Sequence, residues 1–122
     1  LYFYPKDNTP GCTNESKDFR DQYDAFKSLN AEIVGVSRDS LKSHQNFIDK
    51  YELPFELIAD TEESLCNQFD VIKEKNMFGK IGRGIERSTF LINPKGVLIA
   101  EWRKVKVAGH ADEVLKTLKE SQ

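Results

Sequence analysis

Leu1-Tyr2-Phe3-Tyr4-Pro5-Lys6-Asp7-Asn8-Thr9-Pro10-Gly11-Cys12-Thr13 opens the chain and passes from an apolar strand pattern, through a turn, into a helix. The aromatic run stops at Pro5, and Pro10-Gly11 punctuates the loop that follows. From Thr13 to Leu29 the residues Phe19, Tyr23, Phe26 and Leu29 recur at helical spacing, with Lys17, Arg20, Asp21 and Lys27 between them. Cys12 therefore stands at a helix start. First-turn N–H groups lack intrahelical partners and the helix dipole adds partial positive charge, so a thiol there is biased toward thiolate, the form that attacks.

Outward from this segment, strand and helix patterns alternate. Glu32-Ile33-Val34-Gly35-Val36-Ser37 reads as a buried strand. Asp39 or Ser40 can cap a second helix running to about Tyr51, with Leu41, Phe47, Ile48 and Tyr51 as its apolar face. Pro54 ends that connection, and Phe55-Glu56-Leu57-Ile58 is a third strand. Asp60-Thr61-Glu62-Glu63 predicts a helix start with acids in its first turn, for a short helix carrying Leu65, Cys66 and Phe69. Residues 73–84 contain three lysines, one arginine and three glycines and read as an exposed loop. Thr89-Phe90-Leu91-Ile92, Asn93-Pro94-Lys95-Gly96 and Val97-Leu98-Ile99-Ala100-Glu101-Trp102 form a hairpin signal, and Ala111, Val114, Leu115 and Leu118 stripe a closing helix. Alternation followed by a hairpin and a last helix predicts one α/β domain over residues 1–122 with a mixed sheet.

Composition narrows the function classes. The 122 residues are 39% hydrophobic and 31% charged, as in an ordinary soluble domain with a single core. A net charge of −2 gives no bulk attraction to nucleic acid, and Lys73, Lys75, Lys80 and Arg83 read as a solvated loop more than a binding patch. No apolar run approaches the ~20 residues needed to cross a bilayer, and no signal peptide is visible. Two widely spaced cysteines point to a reducing compartment, here the cytoplasm, and not to a disulfide-rich secreted scaffold. His44 and His110 stand far from Cys12 in sequence without ligand-like spacing, so no metal site is expected; nor is an organic cofactor, since no Gly-rich phosphate loop follows a strand.

The spacing Pro5-x-x-x-Thr9-x-x-Cys12 resembles the active-site pattern of the peroxiredoxins, and the whole run from Tyr2 to Thr13 is similar to their bacterioferritin comigratory, or Q-type, subfamily. Gly84-Ile85-Glu86-Arg87-Ser88-Thr89-Phe90-Leu91-Ile92 resembles the segment that carries the family's second active-site residue, an arginine just before a strand. Tyr51-Glu52-Leu53-Pro54-Phe55 and Phe69-Asp70-Val71 also fit. The resemblance implies a thioredoxin-like fold, a mixed central sheet flanked by helices. In that family a hairpin and a further strand normally precede the segment beginning at Leu1, and the chain has no initiator Met, so it reads as N-terminally incomplete. The implied activity is reduction of hydrogen peroxide and organic hydroperoxides, with electrons from thioredoxin or another thiol reductant, by a monomer or weak homodimer.

Within this resemblance Cys12 is the peroxidatic nucleophile, cycling through a sulfenic acid; the competing reading is a small core thiol. Thr9 can bind peroxide with its hydroxyl, or merely bond local backbone in a turn. Pro5 shapes the loop and shields the thiolate. Arg87 supplies a permanent cation beside the thiolate and the parting oxygens, against a surface salt bridge to Glu86 as its plainer reading. Glu15 either organises that arginine or is a favourable helix-start acid. Many Q-type members place a resolving cysteine five residues after the first; here Lys17 occupies that position. Cys66 either resolves instead, after local unfolding, or packs as an inert thiol beside Leu65 and Phe69. A non-catalytic thioredoxin-like interaction module, or an incomplete fragment, is the rival class. A general disulfide oxidoreductase is disfavoured, because the chain has no Cys-x-x-Cys pair.

Overall fold

The computed structural model describes every residue except Phe78, and of residues 75–77, 80 and 81 it describes the backbone alone. Strand β1 (Tyr2–Phe3) leads through the Pro5–Thr9 loop into α1 (Pro10–Asp21) and α2 (Tyr23–Ser28), then β2 (Val34–Ser37), α3 (Leu41–Tyr51) and β3 (Glu56–Ala59). Next come α4 (Ser64–Gln68), β4 (Ile72–Met77), β5 (Lys80–Ile85), β6 (Ser88–Ile92), β7 (Leu98–Trp102) and α5 (His110–Glu120). The main sheet has the order β3-β2-β1-β6-β7; β1, β2 and β3 are parallel, while β6 runs antiparallel to β1 and to β7. This is the mixed sheet that the alternating pattern predicted and the thioredoxin-like fold that the resemblance implied.

Side chains alternate across β1 and build two cores, one on each face of the sheet. Tyr2 and Tyr4 join Cys12, Phe19, Phe47 and Val114 on one face; Phe3 joins Val36, Cys66, Val71, Ile85 and Phe90 on the other. Gly35, opposite Tyr2 in the register, leaves room for that ring, since a Cβ there would lie 2.8 Å from Tyr2 Cζ and 2.7 Å from Leu57 Cδ2.

Several local expectations hold and several change. Ser40 caps α3 by accepting from the Ser43 amide at 3.1 Å. The β6–β7 turn is held by the Asn93 carboxamide, which accepts from the Lys95 and Val97 amides, with Gly96 at φ +81°. The helix expected over Thr13–Leu29 instead breaks at Gln22 into α1 and α2. Leu41 does not join the apolar face of α3. It is exposed at the first position of α3, and the buried face carries His44 with Phe47. The start of α4 carries no acid in its first turn; Asp60, four residues before Ser64, accepts from the Leu65 and Cys66 amides instead. The largest correction concerns residues 73–84, expected as a loop. The backbone there pairs as the antiparallel β4–β5 ribbon, from Ile72 opposite Ile85 to Met77 opposite Lys80. Cross-strand pairing satisfies the backbone, so lysine and glycine content did not prevent a strand. Among the described residues no helix is long and apolar enough to cross a membrane.

Candidate active site

Antiparallel pairing of β1 with β6 sets Phe3 opposite Ser88. The residue before β6 thereby meets the loop that leaves β1. That residue is Arg87, and its guanidinium reaches α1: Nη2 donates to Cys12 Sγ at 3.3 Å and Nη1 to Glu15 Oε1 at 2.8 Å. Cys12 and Glu15, three residues apart on one helix, share a face, so a single planar fork spans both. Arg87 thus pairs with Glu15, not with the neighbouring Glu86 as its plainer reading had it.

Cys12 is buried to 1% exposure within the Tyr2 core, although it sits in the first turn of α1. Thr9 is the N-cap residue, and its hydroxyl donates to the Lys6 carbonyl at 2.8 Å, leaving its oxygen as an acceptor. Its carbonyl closes the first turn by accepting from the Thr13 amide at 2.8 Å. Pro5 is half-buried at the end of β1. Glu15 is buried, and burial pushes its carboxyl up to about 7 despite the opposing pull of Arg87. Among the described residues its Oε2, also buried, has no hydrogen-bond partner.

Two site features escaped the sequence reading. Gly11 is more than punctuation: a Cβ there would lie 3.2 Å from Arg87 Nη2. Gly11→Ala is therefore expected to push the guanidinium off the thiol and slow Cys12 oxidation about 3- to 10-fold, with little change in melting temperature. Stopped-flow oxidation by peroxide checks this; an unchanged rate would show that the guanidinium has room to give. The second feature is His44, which bonds Asp7 of the Pro5–Thr9 loop, 37 residues away in sequence. The usable signal was its spacing with Phe47, Ile48 and Tyr51 on one helical face.

Cys66 lies in the Phe3 core, on the face of the sheet opposite Cys12. Burial, then the hydrogen bond and charge of Asp60, push its thiol up to about 12.

The family profile described as AhpC/TSA family matches residues 1–101. The chain is 60% identical over 119 residues to peroxiredoxin Bcp of Xanthomonas campestris, covering 98% of this chain and 74% of that protein. It is 58% identical over 120 residues to peroxiredoxin Bcp of Bacillus subtilis, covering 98% and 76%. Among solved structures it is similar, at 58% identity and a TM-score of 0.94 over 98% of this chain and 76% of the other, to the X. campestris bacterioferritin comigratory protein. That structure is a trapped intermediate/ligand complex bearing on alkyl peroxide reduction by that protein.

Proposed function

The chain belongs to the AhpC/TSA family as a peroxiredoxin of the bacterioferritin comigratory, or Q, type and is a thiol-dependent peroxidase; from that premise we propose that Cys12 is the sulfur that attacks the peroxide. The observation that carries the reading is the 3.3 Å contact from Arg87 Nη2 to Cys12 Sγ at a helix start. An inert core thiol has no need of a cation.

In this reading the Cys12 thiolate attacks the terminal oxygen of a hydroperoxide, the S–O bond forms and the O–O bond breaks. The electron pair of that bond leaves on the alkoxide or hydroxide, which takes up a proton to give alcohol or water. Arg87 stabilises the departing negative charge, and Glu15 fixes the guanidinium by holding its other amino group. Thr9 accepts from the peroxide O–H, and Pro5 limits water at the loop. An external thiol, which we take to be thioredoxin, then displaces water from the sulfenic acid to form a mixed disulfide, and its second thiol releases Cys12. A reducing compartment such as the cytoplasm would supply that donor.

We further propose a one-cysteine cycle. Lys17 offers no thiol, and Cys66 is supported as a packing residue by its burial on the far face and by the hydrogen bond of its thiol to Asp60. One equivalent of peroxide under non-reducing conditions should leave Cys12 as sulfenic acid, read by peptide mapping, and added dithiol should reduce it directly. Cys66→Ala should keep turnover while costing about 1–2 kcal/mol of stability through lost packing. A Cys12–Cys66 disulfide formed as fast as turnover would replace this cycle with a two-cysteine one that opens the fold.

A further inference from the structure

The Pro5–Thr9 loop is fastened to α3 and β3 by a buried network centred on Asp7. Its Oδ1 accepts from the Tyr4 hydroxyl at 2.5 Å; its Oδ2 accepts from the Ser43 hydroxyl at 2.8 Å and faces His44 Nδ1 at 2.7 Å. The other ring nitrogen, Nε2, faces the Ile58 carbonyl at 2.9 Å. A carbonyl only accepts, so Nε2 carries a proton; an ionised carboxylate only accepts, so Nδ1 carries one too. His44 is then an imidazolium paired with the Asp7 carboxylate, both side chains nearly free of solvent. An imidazole donating from both nitrogens has no lone pair for a cation, so the proximity of Asp7, Asp39 and His44 is not a metal cage.

The backbone of the loop is tied as well. The Asp7 amide donates to Asp39 Oδ2 at 2.8 Å, and Asp39 is held in turn by the Ser37 hydroxyl. Asn8, at φ +60°, accepts from the Tyr51 hydroxyl at 3.0 Å. One residue later comes Thr9, and three residues after Thr9 comes Cys12.

We propose that Asp7 and His44 form a buried charged clamp that holds the Pro5–Thr9 loop, and so are positioning residues that present peroxide to Cys12. The proposal rests on the assignment of Cys12 as peroxidatic and extends it. The groups facing His44 are Asp7 from the loop, Tyr4 beside β1, Asp39 from the β2–α3 turn, Ser43 on its own helix and the Ile58 carbonyl from β3. Burial opposes both charges. The bonds from His44, Tyr4 and Ser43 outweigh it and hold the Asp7 carboxyl below its ordinary value, while the bonds to Asp7 and Ile58 hold His44 above 6.5. The sign follows: the clamp is charged at low pH and is lost as pH rises through the folded-state value of His44.

The test is the ratio of the rate constants of Cys12 with hydrogen peroxide and with iodoacetamide. Both reactions need thiolate, so the ratio cancels thiol ionisation and reports how the loop presents peroxide. Asp7→Asn and His44→Gln should each lower it about 10- to 100-fold, with the double variant no worse than either single. A purely structural role would lower the melting temperature and leave the ratio alone. In the wild type the ratio should fall as pH rises through the His44 titration, followed by NMR of its ring protons; His44→Gln should start low and lack that fall. Any contribution from Glu15 is common to both proteins and cancels in the comparison. Folded variants whose ratio stays within about twofold of wild type would overturn the clamp, as would additive effects. If the variants do not fold, a wild-type ratio that falls with the His44 midpoint supports the clamp, and a level one overturns it. A wild-type Cys12 with no more preference for peroxide than a free cysteine overturns the Cys12 assignment and the clamp together, whereas a selective Cys12 indifferent to these residues overturns the clamp alone.

Discussion

Cys12→Ser is expected to bring peroxide reduction down to the uncatalysed background. A serine hydroxyl is not ionised at neutral pH, and a neutral oxygen does not displace alkoxide from a peroxide. The fold should survive. Cys12 is buried, but a hydroxyl in its place still finds the Arg87 Nη2 donor that now meets sulfur, so the stability cost should stay near about 1 kcal/mol. Coupled peroxide consumption with excess dithiol measures the first effect, and urea denaturation the second. Turnover near the wild-type level in a folded serine variant would move the chemistry to another residue.

Removing the cation should have the next largest effect, because Arg87 serves two partners at once. Arg87→Ala takes positive charge away from Cys12 and from the departing oxygens, and is expected to slow oxidation by about 10²–10³-fold. It also strands Glu15. Breaking a buried ion pair costs about 3–5 kcal/mol, and the lower end applies here because Glu15 can take up a proton. Burial already pushes that carboxyl up to about 7, and Arg87 is the group that pulls it down. Arg87→Lys should not rescue the rate, since a single ammonium cannot span Sγ and Oε1 as the planar fork does. Arg83→Ala, on the exposed β5 strand, serves as the control and should change neither rate nor stability. Alkylation and peroxide oxidation at neutral pH, measured in all three variants, decide the matter. Equal effects of Arg87→Ala and Arg83→Ala would remove the proposed role.

Residue spacing along the chain determined the elements around Cys12. A proline ending an aromatic strand, a threonine at the N-cap position and a cysteine three residues on are local facts, and local geometry carries them into the fold. The same holds for Ser40 at the start of α3 and Asn93 in the β6–β7 turn, whose side chains bond backbone within four residues. Arg87 was legible only through resemblance to a family segment. Its contact with Cys12 spans 75 residues and exists because β1 and β6 pair antiparallel, which no spacing rule states. The closeness of Gly11 to that guanidinium has the same origin. Burial was likewise decided only in three dimensions. Cys12 on α1 and Cys66 on α4 fall in opposite cores because those helices cover opposite faces of the sheet, and the pairing of α3 with the Pro5–Thr9 loop turns Asp7 and His44 from two unrelated polar residues into one buried ion pair. A charge far from water must find its partner wherever the chain brings one, and that partner is set by packing and not by neighbourhood in sequence.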